Sequence, residues 1–243
     1  MKVKYILLLM ICVWGCSGKE VSGNPSNKVI RILFVGNSLT YTNDLPLLVC
    51  ELGKADSILI GYKTIAKPDY SLDDHLAEGI VQSEISNGRY DFVIVQQGPS
   101  ALPESQAILM SAVNKYKALC DQTKTKLALY MVWPSKSRIS DLDNVIYSYS
   151  NAGKKHNVII CAAGLAWKKT WAANTGISLY GADGFHPELA GSLLAAMVIY
   201  GTITGNKQFN EQVLKNAFWS RKLSISTFNS LRQAAIAAIE TKL

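Results

Sequence analysis

Histidine is scarce in this chain, which has 243 residues and only three histidines. A catalytic base of the imidazole type therefore has three candidates, His75, His156 and His186. Cysteine is also infrequent: five occur, and no pair of them has the spacing of a metal site. We therefore expect no cysteine-based metal site.

Long hydrophobic runs are missing as well. The apolar stretch at residues 5–14 has about ten residues, well short of the roughly 20 that a membrane-spanning helix needs. It follows Lys2 and Lys4 and precedes Gly15-Cys16, an order of charged, apolar and small residues that is typical of an export signal. We expect residues 1–15 to be a cleaved signal peptide.

The end of this segment, Val13-Trp14-Gly15-Cys16, resembles a bacterial lipoprotein signal, in which cleavage leaves the cysteine as a lipidated first residue. An ordinary secretory peptide is the alternative, because Trp14 is unusual in such a motif. Residues 16–28 then predict a flexible tether, and residues 29–243 a folded domain. The expected location is the periplasm or surface of a bacterial cell, with the membrane reached only through lipid on Cys16.

Clusters of like charge are absent. The net charge is +7, and removal of Lys2 and Lys4 with the signal leaves +5. No run of Lys and Arg is interleaved with aromatic residues, so the pattern indicates a solvated, mildly basic surface and no nucleic-acid partner. Acidic glycans are compatible with such a surface.

Three cysteines remain in the expected domain, Cys50, Cys120 and Cys161. Their odd number allows at most one disulfide. Each lies in an apolar context on a predicted helix or strand, which favours small buried side chains.

Repeats and low-complexity tracts are also absent, and 49% hydrophobic with 18% charged residues suits one compact domain. Segments rich in Val, Ile and Leu predict buried strands at residues 29–35, 58–66, 91–96, 126–133 and 157–162. Helical spacing occurs at residues 45–54, 72–86, 103–122, 141–155, 165–173, 187–204 and 226–243. The alternation predicts an α/β domain, a three-layer α/β/α sandwich with a central parallel sheet of about five strands.

The first strand is followed by Gly36-Asn37-Ser38, which places a serine hydroxyl at the carboxyl end of a strand, where open α/β sheets hold their ligands. Far along the chain, Asp183 precedes His186 by three residues, so one turn can present both side chains. A serine becomes a nucleophile when an imidazole takes its proton and a carboxylate holds the other ring nitrogen. An isolated Asp-x-x-His is common by chance, and the combination with Ser38 is what gives it weight.

This combination resembles the SGNH (GDSL-like) hydrolases over residues 30–205. The resemblance implies a flavodoxin-like sandwich in which Ser38 is the nucleophile and Asp183 and His186 complete the triad, with no metal or organic cofactor. It also implies that the Ser38 N–H donates to the oxyanion hole. The Gly-x-Ser-x-Gly elbow of α/β-hydrolases is absent, because Thr40 stands where the second glycine belongs.

The middle blocks of the family pattern depart from it. A glycine N–H usually completes the oxyanion hole after the second strand, whereas this chain has Pro68-Asp-Tyr-Ser71, so the donor is Asp69, Tyr70 or Ser71, with the last two preferred. After the third strand the usual Asn is replaced in Gln96-Gln-Gly-Pro-Ser100, which resembles the sialate O-acetylesterase and carbohydrate-esterase branches.

That second resemblance implies that the Gln97 amide is the third oxyanion donor, with Ser100 as the second choice. The alternative is that Gln96 and Gln97 only cap the end of a strand.

Other polar and aromatic residues are also interpreted. His75 either lies near the site, because its turn follows the second strand, or is a residue of a helix surface or of the core. His156 is expected to begin a strand and to be solvated. Trp133, Trp167 and Trp171 either stack on a sugar or pack in the core.

The resemblance implies an esterase that hydrolyses O-acyl esters. Because an exported protein meets acylated polysaccharides at the bacterial surface, removal of acetyl or a similar small acyl group from a carbohydrate or other small ester is the first expectation. A lipase or thioesterase is the second expectation. An inactive glycan-binding surface lipoprotein is the third, motivated by the irregular middle blocks.

Overall fold

The predicted apolar segments form five strands: β1 (Ile30–Gly36), β2 (Ile60–Ala66), β3 (Phe92–Val95), β4 (Lys126–Tyr130) and β5 (Ile159–Cys161). The computed structural model describes residues 29–173, 176–215 and 223–243. Within these ranges the strands form one parallel sheet in the order β2-β1-β3-β4-β5. The predicted signal peptide, the tether and the lipidation site at Cys16 lie outside the described residues.

Helices connect and cover the strands. In the described ranges they are α1 (Ser38–Tyr41), α2 (Leu45–Ala55), α3 (Leu72–Ala77), α4 (Ile80–Ser86), α5 (Pro103–Thr123), α6 (Leu142–His156), α7 (Ala163–Ala173), α8 (Leu189–Thr204) and α9 (Ile225–Ile239). Short 3-10 turns span Thr42–Asp44, Lys136–Asp141 and Glu211–Lys215. The predicted parallel sheet and three-layer α/β/α sandwich are confirmed.

Burial explains why the central strands are almost uniformly apolar. The run from Ile32 to Val35 in β1 is fully buried, because helices cover both faces of the sheet. Burial of each such side chain contributes about 1.5–3 kcal/mol. The edge strand β2 is only partly buried and carries polar residues.

One predicted helix, at residues 72–86, was wrong as a continuous element. The structure divides it into α3 and α4. Gly79 separates them with φ of 77°, a left-handed conformation that glycine adopts at little cost and that ends a helix.

The cysteines are small buried residues, as predicted. Cys50, Cys120 and Cys161 are free thiols, and burial raises the pKa of each to about 12. They therefore stay protonated and unreactive at neutral pH. Separately, none of the helices in the described ranges combines the length and apolar character needed to cross a membrane.

The strand order creates a crevice at one edge of the sheet. From β1 the chain passes to β2 on one side, while β3 lies on the other side of β1. At such a switch point the connections leave in opposite directions, and the space between them is the usual ligand site of open α/β sheets. Ser38 follows β1 and Gln97 follows β3, so both lie at this crevice.

Candidate active site

The turn that carries Ser38 is held by its neighbour Asn37. The Asn37 side chain caps α1 by accepting the Leu39 N–H at 3.2 Å, and its amide donates to Tyr70 O at 3.2 Å. Ser38 is thus the first residue of α1. Its N–H has no hydrogen-bond partner among the described residues, so it is free to donate to a ligand.

Gln96 fixes the same turn from the end of β3. Its buried Oε1 accepts the Asn37 N–H at 2.9 Å and the Thr40 hydroxyl at 2.8 Å, and its amide donates to Gln97 O at 2.7 Å. This close approach requires glycine at position 36, where a Cβ would lie 2.5 Å from Gln96 Oε1. The alternative interpretation of Gln96 as a strand-end cap is therefore the one the contacts support.

Ser38, His186 and Asp183 lie together although 148 residues separate the first two. Ser38 Oγ is 2.8 Å from His186 Nε2, and His186 Nδ1 is 2.5 Å from Asp183 Oδ2. The side chains of His186 and Asp183 remain 38% and 51% exposed, so a substrate can reach the imidazole. The geometry is that of a nucleophile, a base and an orienting carboxylate.

The turn of Asp183 and His186 is rigidly closed. Asp183 Oδ1 accepts the N–H groups of Phe185 and His186, each at 2.9 Å, and Gly184 supplies the left-handed φ of 69°. The hydrogen bond from His186 and those from the backbone lower the pKa of Asp183 to about 2. The carboxylate is therefore ionised at neutral pH and can stabilise an imidazolium.

The turn after β2, Pro68-Asp-Tyr-Ser71, corrects one prediction. The Ser71 N–H donates to Asp74 Oδ2 at 2.8 Å in the cap of α3, so Ser71 was a wrong choice as a backbone donor. The Tyr70 N–H is directed at Lys67 O at 3.4 Å, within the turn. Asp69, with φ of 59°, has an N–H without a partner among the described residues and lines the cavity. Asp69 is the better candidate.

In the loop after β3, Gln97 and Ser100 make different contacts. The Ser100 hydroxyl donates to Gly98 O at 3.0 Å and so stabilises the loop, which makes Ser100 a poor oxyanion donor. The buried Gln97 amide nitrogen has only a long contact of 3.4 Å to Ser100 Oγ among the described residues. Tyr149 supports the loop from below, with its hydroxyl 2.7 Å from Gln97 O. Gln97 stays the predicted side-chain donor.

The other two histidines lie in helices α3 and α6. His75 is fully buried, and its Nε2 lies 2.7 Å from Gly36 O, so it props the strand end two residues before Ser38. Its burial agrees with the core alternative, and its contact with Gly36 agrees with the alternative that it lies near the site. His156 was expected to begin a strand; it is the last residue of α6 and is half-buried.

The tryptophans pack in the core beneath the His186 turn. Trp133 and Trp167 are fully buried and stacked, with ring centres 3.5 Å apart, so the sugar-stacking alternative is wrong for these two. Trp171 is half-buried and stacks on Tyr180. Trp133 Nε1 donates to Phe185 O at 3.2 Å, so this aromatic cluster anchors the residue before His186.

A cavity of about 550 Å³ opens beside Ser38. Asp69 and Gln97 line it together with Ser38, which places the three candidate donors around one space. Its further walls are an apolar side with Leu102 and Ile108 and a polar side with the ion pair of Arg138 and Asp141. Among the described residues no group of three His, Cys, Asp or Glu side chains is arranged to hold a metal ion.

Comparison of the sequence with protein-family models and with curated proteins finds no match. Solved structures do match. A protein assigned as an SGNH hydrolase from Slackia heliotrinireducens is 23% identical over 72% of this chain and all of its own, with a TM-score of 0.61. A DUF4886 family protein from Bacteroides uniformis is 16% identical, with 87% of this chain and 95% of its own covered and a TM-score of 0.72.

An acetylxylan esterase from Geobacillus stearothermophilus is also similar, at 16% identity and a TM-score of 0.56, over 72% of this chain and 94% of its own. At these identities the likeness shows the architecture. The chain has the fold of the SGNH hydrolases, as the resemblance of its Ser38 and His186 segments implied.

Proposed function

We propose that this protein is a serine esterase that hydrolyses O-acyl esters, with O-acetyl groups on carbohydrates as the first candidate substrates. The observation that supports this most directly is the unbroken chain of contacts from Ser38 through His186 to Asp183 beside an open cavity. A merely structural serine has no need of a base whose second nitrogen is held by a carboxylate.

In the proposed reaction, His186 Nε2 takes the proton of Ser38 as the hydroxyl oxygen attacks the ester carbonyl. Asp183 stabilises the imidazolium that forms, because its low pKa keeps it ionised. His186 then gives the proton to the leaving alcohol, and an acyl group remains on Ser38. Water then loses a proton to His186 as its oxygen attacks the acyl carbonyl. The bond between the acyl group and Ser38 Oγ breaks, His186 returns the proton to Ser38, and the acid leaves.

The oxyanion of each tetrahedral intermediate lies, in this proposal, among the Ser38 N–H, the Asp69 N–H and the Gln97 amide. Within the described part of the chain these two backbone N–H groups have no partner, which supports the assignment. Donors that are held in place before the reaction contribute much of the rate enhancement in acyl transfer. The Asp69 φ of 59° directs its N–H without the glycine that the family pattern has at this block.

Three observations support the carbohydrate part of the proposal. A glycan is the acylated material that an exported bacterial protein would meet, and one structure with the same fold is an acetylxylan esterase. The polar wall with Arg138 and Asp141 suits a hydroxylated alcohol.

A second candidate is an acyl hydrolase for longer chains, of the lipase or thioesterase type. The apolar wall favours it, since Leu102 and Ile108 are about half exposed at the cavity rim. Solvent-exposed apolar side chains beside a nucleophile can cover an acyl chain. A series of esters with increasing acyl length separates the two candidates: acetyl as the preferred group supports the first, and a rising kcat/KM with length supports the second.

We also propose export and a lipid anchor at Cys16, on the charged and apolar segments that precede it. The test is incorporation of labelled palmitate by the full chain in a bacterial host, with Cys16→Ala as the control. Label that persists in Cys16→Ala contradicts the anchor.

The esterase itself is tested with protein lacking residues 1–16, by release of acetate from a small acetyl ester. We expect the wild-type protein to hydrolyse the acetyl ester and Ser38→Ala to lose this activity. Acetylated and methyl-esterified glycans are then screened by mass. Turnover that is unchanged in Ser38→Ala contradicts the assigned nucleophile. Absence of turnover on every ester, with intact binding to a glycan, supports the inactive glycan-binding alternative.

A further inference from the structure

The hydrogen bonds of Asn43 with Pro187 and Ser192, called the latch below, join the two chain segments that carry Ser38 and His186. Asn43, in the 3-10 turn after α1, donates through its amide to Pro187 O and to Ser192 Oγ, each at 2.9 Å. Pro187 directly follows His186. Ser192 lies in the first turns of α8 and is fully buried. Both amide hydrogens of Asn43 are therefore used on the segment of the catalytic base.

Besides the contact of His186 with Ser38, two backbone hydrogen bonds of the His186 turn lead elsewhere. His186 O accepts the Gly181 N–H at 2.7 Å, and the Glu188 N–H donates to Leu179 O at 2.9 Å. These bonds tie the turn to the strand-like segment just before it, which does not carry Ser38. Asn43 connects the segment of His186 to the one that carries Ser38, and the Ser192 hydroxyl adds a longer bond of 3.4 Å to Thr42 O.

The backbone of Asn43 is suited to this task. Its φ of 56° and ψ of 23° are left-handed, a conformation that Asn tolerates better than most residues. In this conformation the side chain crosses directly to the start of α8. The same amide on a residue with ordinary helical φ would leave the turn in another direction.

We propose that Asn43 is a positioning residue that sets the separation between Ser38 Oγ and His186 Nε2. The inference rests on the proposed esterase function, and Asn43 itself touches none of the reacting atoms. Reacting groups must be held within a fraction of an ångström, and a misplacement of about 1 Å costs on the order of 100-fold in rate. Loss of the latch lets α8 and the His186 turn shift relative to Ser38.

The test uses Asn43→Gly, which removes the amide and keeps the left-handed backbone free of strain. We expect kcat for an acetyl ester to fall about 10- to 100-fold with little change in KM. Asn43→Asp has the same shape and cannot donate to Pro187 O, so its kcat is expected to fall at least as far.

Asn206→Ala is the matched control. The Asn206 amide donates to Asp56 Oδ2 and to the Tyr200 hydroxyl, each at 3.1 Å, at the opposite end of α8. Its loss is expected to lower the melting temperature in the same way as the loss of Asn43 and to leave kcat unchanged. A merely structural Asn43 would give the same result as Asn206.

A second readout needs no turnover. The chain has three histidines, so the imidazole ¹⁵N resonances of His186 can be assigned by His75→Gln and His156→Gln variants. We expect the Nε2 resonance to move in Asn43→Gly and to stay in Asn206→Ala.

The outcomes separate the two proposals. A folded Asn43→Gly with wild-type kcat and an unmoved Nε2 resonance overturns the positioning role of Asn43. If Asn43→Gly does not fold, the same two measurements on Asn43→Asp decide. A wild type that hydrolyses no ester contradicts the esterase, while the resonance of His186 still decides whether Asn43 positions the imidazole.

Discussion

The two halves of the candidate site are built in different ways. In the half with Ser38, His186 and Asp183, side chains contact one another directly at 2.8 and 2.5 Å. In the half that would bind the oxyanion, the donors are two backbone N–H groups and one glutamine amide, placed by the conformation of loops. The first half depends on which residue types are present, and the second depends on the direction in which the backbone places its N–H groups. The first half can therefore be predicted from the sequence more directly than the second.

The largest effect is expected in the side-chain half. Asp183→Asn leaves the shape of the turn but removes the charge that stabilises the imidazolium and fixes its tautomer. We expect kcat to fall on the order of 10,000-fold, as for the corresponding change in serine proteases. Steady-state turnover of an acetyl ester measures it. A loss smaller than that of the oxyanion variant below would reverse the ranking of the two halves.

The oxyanion half is tested by Gln97→Leu, which keeps the volume and removes the amide donor. We expect kcat to fall about 100- to 1000-fold while KM changes little, because the amide would act on charge that develops only in the transition state. Ser100→Gly is the control, since it removes the hydroxyl that serves Gly98 O and keeps the positive φ. Equal losses in both variants would mean that loop shape, and not the Gln97 amide, matters.

A third prediction concerns the frame that both halves share. Gly36→Ala places a Cβ 2.3 Å from Thr40 Oγ1 and 2.5 Å from Gln96 Oε1, so the contacts of the Ser38 turn must break. We expect a loss of about 1–3 kcal/mol in the free energy of unfolding. Urea denaturation measures it against Gly61→Ala on the neighbouring strand, where the nearest contact is 3.6 Å. Comparable stability of the two variants would rule out the tight packing at Gly36.

The smallest expected effect is a change in the pKa of Asp183. Because the hydrogen bond from His186 is the largest cause of the low pKa of Asp183, His186→Ala should raise that pKa from about 2 toward its ordinary value near 3.8. In wild type the lowered pKa stabilises the fold above about pH 4, and this contribution is lost as the pH falls through about 2. NMR titration of the carboxyl carbon measures both values. A pKa near 2 in His186→Ala would assign the effect to the backbone N–H groups instead.

The sequence predicted the sheet and the side-chain half for the same reason. Apolar runs buried on both faces have a clear composition, and the chemistry of Ser38, Asp183 and His186 requires those residue types. The parallel five-stranded sheet is confirmed. Ser38, His186 and Asp183 are in contact in that order, and their catalytic roles stay a prediction.

The oxyanion half was harder to predict because backbone direction leaves little trace in composition. Tyr70 and Ser71 were preferred, but their N–H groups are used in the turn and in the cap of α3. The Asp69 N–H has no partner in the part of the chain that the structure describes. The Ser71-x-x-Asp74 spacing was the available signal, since a serine followed three residues later by an acidic residue is typical of a helix start. The roles of Gln96 and Asn43 depend on contacts across 56 to 149 residues, which no local pattern carries.

The central claim is that Ser38 is a nucleophile activated by His186. Its most direct measurement is treatment of the protein with an activated phosphonate ester, followed by intact mass and peptide mapping. The account predicts one adduct on the peptide that contains Ser38, formed in wild type and absent in both Ser38→Ala and His186→Ala. An adduct on another residue, or one that forms on Ser38 at the same rate without His186, would contradict it.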